Sequence, residues 1–286
     1  IHLDYSQPRV QKWIMESSGL PELTAEAILQ AETRPRCTHI DDGLMLFLRG
    51  INLNPGADPE DMVSIRMWVD EHRIYSLGMR HMLSVTDASR TIERGKGPAS
   101  PGEFIVLLVD LLLDQASRVV EELYDQVDEL EDEVLVTTDS KQRTRLSNIR
   151  RQAIALRRFL APQREALNRL ALERTPILND EHRLHLREEF DRLTRLVEDL
   201  DAARERAGVI HETLLSLMAE QTNQRMYVLS LVAAIFLPLS FLTGLLGINV
   251  GGIPGAESAL GFAAVSIILL AISAGILAFF RWRNWF

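Results

Sequence analysis

Residues 241–255 read FLTGLLGINVGGIPG. A charge-free apolar run closes there in an asparagine set among five glycines, and a second such run begins a few residues later. Residues 228–246 give nineteen consecutive positions without a charge, and residues 260–280 give twenty-one. At about 1.5 Å of rise per helical residue, each run is long enough to cross a hydrocarbon core of roughly 30 Å. A buried helical hairpin in a soluble domain is the competing arrangement, but such helices rarely run so far without one charged position. Two membrane spans are expected, at about residues 226–247 and 260–280.

The average composition conceals this. The chain has 286 residues, 47% of them hydrophobic, and a formal net charge of −9, figures that suit a soluble protein. Yet 39 of the 40 acidic residues and 29 of the 31 basic ones precede Met226, leaving only Glu257, Arg281 and Arg283 beyond it. Arg225 stands before the first span, Arg281 and Arg283 come after the second, and the loop between holds only Glu257. The positive-inside rule therefore puts both ends in the cytoplasm and GINVGGIPG outside. Tyr227, Trp282 and Trp285 suit an interfacial aromatic belt. The chain opens on Ile1 with no secretory segment, so its natural start is expected upstream, and the single cysteine, Cys37, agrees with a reducing compartment.

These patterns give an α+β chain in three parts. Residues 1–100 form a cytoplasmic α/β domain: LTAEAILQAE from Leu23 reads as a helix and GLMLFLRGI from Gly43 as a strand. SIRMWVD and RIYSLGM read as a hairpin about Glu71 and His72, and MLSV from Met82 as another strand. ERGKGPASPGE from Glu93 marks a boundary. Residues 101–224 form a helical bundle and stalk. Val120, Leu123, Val127, Leu130 and Val134 mark its first helix, residues 144–172 a second, and a third starts near Asp180 with Leu186, Phe190, Leu193, Val197 and Leu200 in phase. Gly208 alone does not end that helix, which runs on into the first span. Residues 225–286 are the transmembrane part.

The first span has a small or polar stripe: Asn223, Met226, Ser230, Ala233, Leu237, Ser240 and Gly244, continuing back through Ala219 and Ser216 to Glu212. Close helix packing explains small residues. A water-lined path, with Met226 and Leu237 as apolar constrictions, also explains the polar ones.

The order of acidic cytoplasmic domain, long helix, span ending in Gly-Ile-Asn, short outer loop, second span and RWRNWF tail resembles the CorA family of divalent-cation transport proteins, as do TRPRC from Thr33 and LAPQRE from Leu160. That family's first span ends in Gly-Met-Asn; Gly247, Ile248 and Asn249 stand here, a variant similar to the zinc-transporting branch. The resemblance implies an inner-membrane homopentamer, a funnel whose first spans line a central pore. It places Asn249 at the outer ion site and Ser240, Leu237, Leu229, Met226 and Asn223 along the pore. Leu229 departs from the stripe, which takes Ser230, so the mid-span phase stays open by one residue. Zinc transport is the leading reading, open to proton coupling; a magnesium, cobalt or nickel channel of the same architecture is the alternative, and a membrane-anchored sensor or scaffold the third.

No enzymatic activity, cofactor or nucleic-acid partner is expected, and the absence of G-x-x-x-x-G-K-[ST] disfavours an ATP-driven pump. The expected partners are the lipid bilayer, further copies of the chain, divalent cations and protons. Besides Asn249 and Glu257, candidate metal ligands are His182 with His185, and His211 with Glu212; Cys37 and His39 form a further C-x-H pair. Neither uncharged core holds an ionisable residue, so proton coupling would draw on His211, Glu212, Glu220 or Glu257.

Overall fold

The structure, a computed structural model, describes residues 1–30, 34–137, 139–248 and 258–283, with the side chains of Leu135 and Ser140 set aside. Two compact units divide the chain, Ile1–Leu214 and Leu215–Phe286.

The first unit opens with β1 (His2–Asp4), α1 (Pro8–Glu16) and α2 (Glu22–Leu29), then β2 (Arg36–Ile40), β3 (Gly43–Gly50), β4 (Val63–Val69) and β5 (Ile74–Gly78). The sheet order is β1-β5-β4-β3-β2, antiparallel except where β1 joins β5. GLMLFLRG lacks polar alternation because both faces of β3 are covered. Met45 and Phe47 face one way, into a core with Tyr5, Ile14, Ile28, Trp68 and Leu77. Leu44, Leu46 and Leu48, pointing the other way, are equally buried. On the first face Arg66 is 1% exposed, yet its guanidinium lies 4.1 Å from the Tyr5 ring centroid and donates to the Ile28 carbonyl at 2.8 Å. The β4–β5 turn is held by Asp70, whose Oδ1 accepts from the His72 and Arg73 amides at 2.9 and 3.0 Å.

MLSV is not a strand. Met82 is extended, but Leu83–Glu93 forms α3, burying Ser84 and Ala88 one turn apart. Four apolar or small residues fit either period, and the i, i+4 burial that decides between them needs the TDAS that comes next.

Three long helices complete the unit: α4 (Pro101–Val136), α5 (Ser140–Leu172) and the first part of α6 (Asp180–Leu246). Each start is capped. Ser100 Oγ accepts from the Glu103 amide while Glu103 returns to the Ala99 amide, and Asp139 with Gln142 does the same for α5, starting it four residues before the periodicity suggests. Buried residues recur every three or four positions or at whole multiples of that step: Leu112, Val120, Val127 and Leu130 on α4, Leu146, Ala153, Leu160 and Leu167 on α5, Leu186, Leu193, Leu200, Ala207 and Leu214 on α6. Phe190, on the same phase, is half-buried.

Ion pairs tie these helices together. Arg192 of α6 reaches Asp114 of α4 at 2.6 Å, Arg157 of α5 reaches Asp201 of α6 at 2.7 Å, and Arg145 of α5 reaches Glu129 of α4 at 2.8 Å. Beside Arg192, burial holds Glu189 above the usual carboxylate range, Arg192 opposing and Asp110 and Asp114 reinforcing.

The second unit holds the rest of α6 and α7 (Gly261–Trp282), both long and apolar enough to cross a membrane. Pro238 lies inside α6 without ending it. Its nitrogen carries no hydrogen, so the Ala234 carbonyl one turn back receives no donor from the helix ladder.

Gly102, near the start of α4, tests the packing at the α6 entrance. A Cβ there would meet the His182 ring and the Ile177 carbonyl, a backbone atom that cannot step aside. Alanine is the better helix former by about 1 kcal/mol, but overpacking of this kind costs about 1–3 kcal/mol. Gly102→Ala is therefore expected to lower the melting temperature of the purified protein, measured by calorimetry; a rise would show that the contact relaxes freely.

Candidate ion pathway

Within the second unit, one face of each helix is partly covered. On α6 the half-buried residues beyond Leu217 are Leu231, Ile235, Pro238, Leu239 and Leu242; on α7 they include Val265, Leu269, Ile272 and Ile276, ending at buried Phe280. Both sets step by three or four, the spacing of a single helical face. Turning about 100° per residue, the small-polar stripe of α6 falls on the side opposite its covered face. Met226 is 58% exposed and Leu237 74%, and Asn223, Ser230, Ala233, Ser240 and Gly244 are exposed with them. Leu229, 64% exposed, lies on one flank of this stripe and Ser230 on the other. Phe236, next to half-buried Ile235, is itself exposed.

The polar groups near the end of this helix are partly answered within it. Thr243 Oγ1 donates to the Leu239 carbonyl at 3.0 Å, and the Gly247 amide donates to the Thr243 carbonyl at 2.9 Å as α6 ends. Ile248 comes next, half exposed. Asn249 and Glu257 lie outside the described residues, as does Trp285. Tyr227 and Trp282 are exposed near the ends of the apolar segments, where an aromatic belt would need them.

The other candidate ligands are dispersed. His182 is 7% exposed; Asn179 Oδ1 accepts from its amide at 2.8 Å, and its own Nδ1 accepts from the Asn179 amide at 3.4 Å. This is a reciprocal cap on α6 in which histidine stands where a glutamate or glutamine usually does. Sequence spacing shows His182 beside His185 but not this prior engagement. His185 is exposed, 3.9 Å from Glu188. His39 lies 3.6 Å from Glu173. Burial, reinforced by Glu173, pushes the Cys37 thiol up to about 12, which keeps it protonated and a poor metal ligand. His211 lines a cleft beside α5, and Glu212 and Glu220 are exposed. Among the described residues, no three His, Cys, Asp or Glu side chains converge to hold a metal.

Sequence reading misses Gln163, inside LAPQRE. It is 2% exposed, and its Oε1 accepts from the Arg49 amide at 2.6 Å, joining β3 to α5. A glutamine beside a proline in an arginine-rich helix is the available signal.

Comparison with known proteins bears on what this arrangement is for. Residues 1–282 match the profile of a family described as CorA-like Mg2+ transporter protein. The chain is 38% identical over 285 residues to the zinc transport protein ZntB of Yersinia enterocolitica, covering 100% of this chain and 87% of that protein. It is 39% identical over 286 residues to the divalent cation transporter CmaX of Pseudomonas aeruginosa, covering 99% and 84%. The solved structure of full-length CmaX superposes with a TM-score of 0.85 at 38% identity, covering 99% of this chain and 88% of that one. With the family profile matched across nearly the whole chain and two apolar helices in place, this protein belongs to the CorA family of metal-ion transporters.

Proposed function

We propose that this chain assembles as a ring of five whose α6 stripes face a shared axis, forming a pore for divalent cations. The membership itself makes the chain a multi-pass transport protein of the bacterial inner membrane, acting on divalent cations and not as an enzyme. The observation that carries the pore is the position of the stripe. Its small and polar residues lie opposite the covered face of α6, so a lone chain would turn them to lipid. Each unsatisfied polar group in hydrocarbon costs up to several kcal/mol. A closed ring removes that cost, and symmetric closure is the common solution. Met226 and Leu237 then stand as apolar constrictions on a water-filled path. Basic Arg225, Arg281 and Arg283 support cytoplasmic ends.

In this reading Gly247, Ile248 and Asn249 close the pore outside, with five Asn249 amides offering oxygen to an arriving cation and Glu257 adding charge nearby. Ile248 supplies packing and no ligand atom. Two readings of the ion have support. The magnesium, cobalt or nickel reading is supported by the family description, which names magnesium, and the amide oxygen of Asn249 is a hard donor of the kind that suits magnesium. Zinc is favoured by the 38% identity to ZntB. Proton coupling belongs with the zinc reading and would draw on His211, Glu212, Glu220 or Glu257; His182 and His185 would be accessory ligands at most.

Two measurements bear on these proposals. Native mass spectrometry of the detergent-solubilised protein is expected to show chiefly pentamers, and a spectrum of monomers and dimers would remove the shared axis. In reconstituted vesicles, Asn249→Ala is expected to leave assembly intact while lowering divalent-cation flux by about tenfold or more, since a filter residue sets entry. Wild-type flux would place the site elsewhere. Running zinc, magnesium and cobalt in parallel, with and without a pH gradient, separates the two readings of the ion.

A further inference from the structure

A cleft of about 820 Å³ opens in the first unit between α5, the β3–β4 loop and the His211 end of α6. Its floor is one face of α5. Arg143, Ser147, Arg150 and Arg151 line its first half; Ile154, Ala155, Arg158 and Phe159 line its second. The opposite wall offers two acids, both already engaged: Glu60 lies 3.9 Å from Arg151, and Asp61 pairs with Arg80 at 2.6 Å. Among the described residues Arg143 and Arg150 have no hydrogen-bond or ion-pair partner. Among the same residues Arg158 is met only by the Phe159 ring, 5.5 Å away. Elsewhere on these helices Arg145, Arg157, Arg192 and Arg206 each find a carboxylate, whereas three of the four arginines in this cleft do not.

The order of chemistry along the floor is informative. Three arginines and a hydroxyl occupy the first part; after them come Ile154, 52% exposed, Ala155 and Phe159, with Arg158 among them. From Arg143 to Ala155 the helix rises about 18 Å, too far for one phosphate to bridge. Guanidinium forks suit phosphate oxygens, and a volume of this size is usual for a small-molecule site. We propose that the cleft binds a nucleoside polyphosphate, with the phosphate chain on Arg143 and Arg150 and the sugar and base against Ile154, Ala155 and Phe159. The chain has no phosphate-cradling glycine loop, so the ligand is held as an effector and no hydrolysis is involved.

Calorimetric titration of the full-length oligomer in detergent tests this, using ATP, inorganic triphosphate and adenosine as separate probes. ATP is expected to bind more tightly than triphosphate, and adenosine most weakly. Arg143→Gln combined with Arg150→Gln should weaken ATP and triphosphate by about tenfold or more, as charge-assisted bonds are lost. Both side chains are exposed and without partners, so folding should persist; the single variants, each with a smaller loss, confirm the assignment if the pair misbehaves. Ile154→Ser should weaken ATP but not triphosphate. No ATP binding at about 1 mM, or binding unchanged in the arginine variants, overturns the proposal. So does an oligomer that falls apart in those variants without ATP having bound, which would assign the cleft to an acidic segment of a second copy.

Discussion

A helix that passes from a packed bundle into hydrocarbon must keep its hydrogen-bond ladder while everything around it changes. Helix α6 meets this constraint chiefly in its side chains. As far as Leu214 it buries residues at steps of three or four positions or a multiple of them, and from there to Leu246 it buries none. The bundle half is held by apolar packing and by arginine-carboxylate pairs to α4 and α5. The membrane half has no such pairs to use, since charge there is expensive. Its polar content is reduced to small groups such as the Thr243 hydroxyl, which returns its hydrogen to the carbonyl a turn back. The capping arrangement at Asn179 and His182 fixes where this long element begins.

Much of this is legible in the sequence, for identifiable reasons. Long helices repeat their period often enough to be read, so α4, α5 and α6 stand out, and a charge-free run of nineteen residues has few other uses. The β4–β5 hairpin is visible because Asp70 and its neighbours are turn formers. The features that escape are set by contacts outside the local pattern. MLSV is helical because of the TDAS that extends it, and His182 is committed to a cap that its spacing from His185 does not reveal. The unanswered arginines of α5 look like their paired neighbours until the carboxylates within reach are known. The stripe on α6 is legible as one helical face, yet Leu229 and Ser230 flank it almost evenly, so a single chain does not choose between them.

The family relationship and the chain's own chemistry bear on different questions. Membership fixes architecture and the class of cargo, because the match covers residues 1–282. Ion choice depends on a few donor atoms. An amide oxygen is a hard ligand with no strong preference for zinc, and the chain's one thiol, Cys37, is buried and protonated in the sheet.

Pro238 gives the first apolar segment a property that its neighbours do not have. With the Ala234 carbonyl released from the ladder, the helix is softer in bending at that level than one turn above or below. A bare carbonyl dipole at that depth also has to be met by a water or a neighbouring group. Stiffness and hydration are thus coupled at one residue: whatever wets or dries that oxygen also changes how readily the part of the segment beyond Pro238 tilts against the rest.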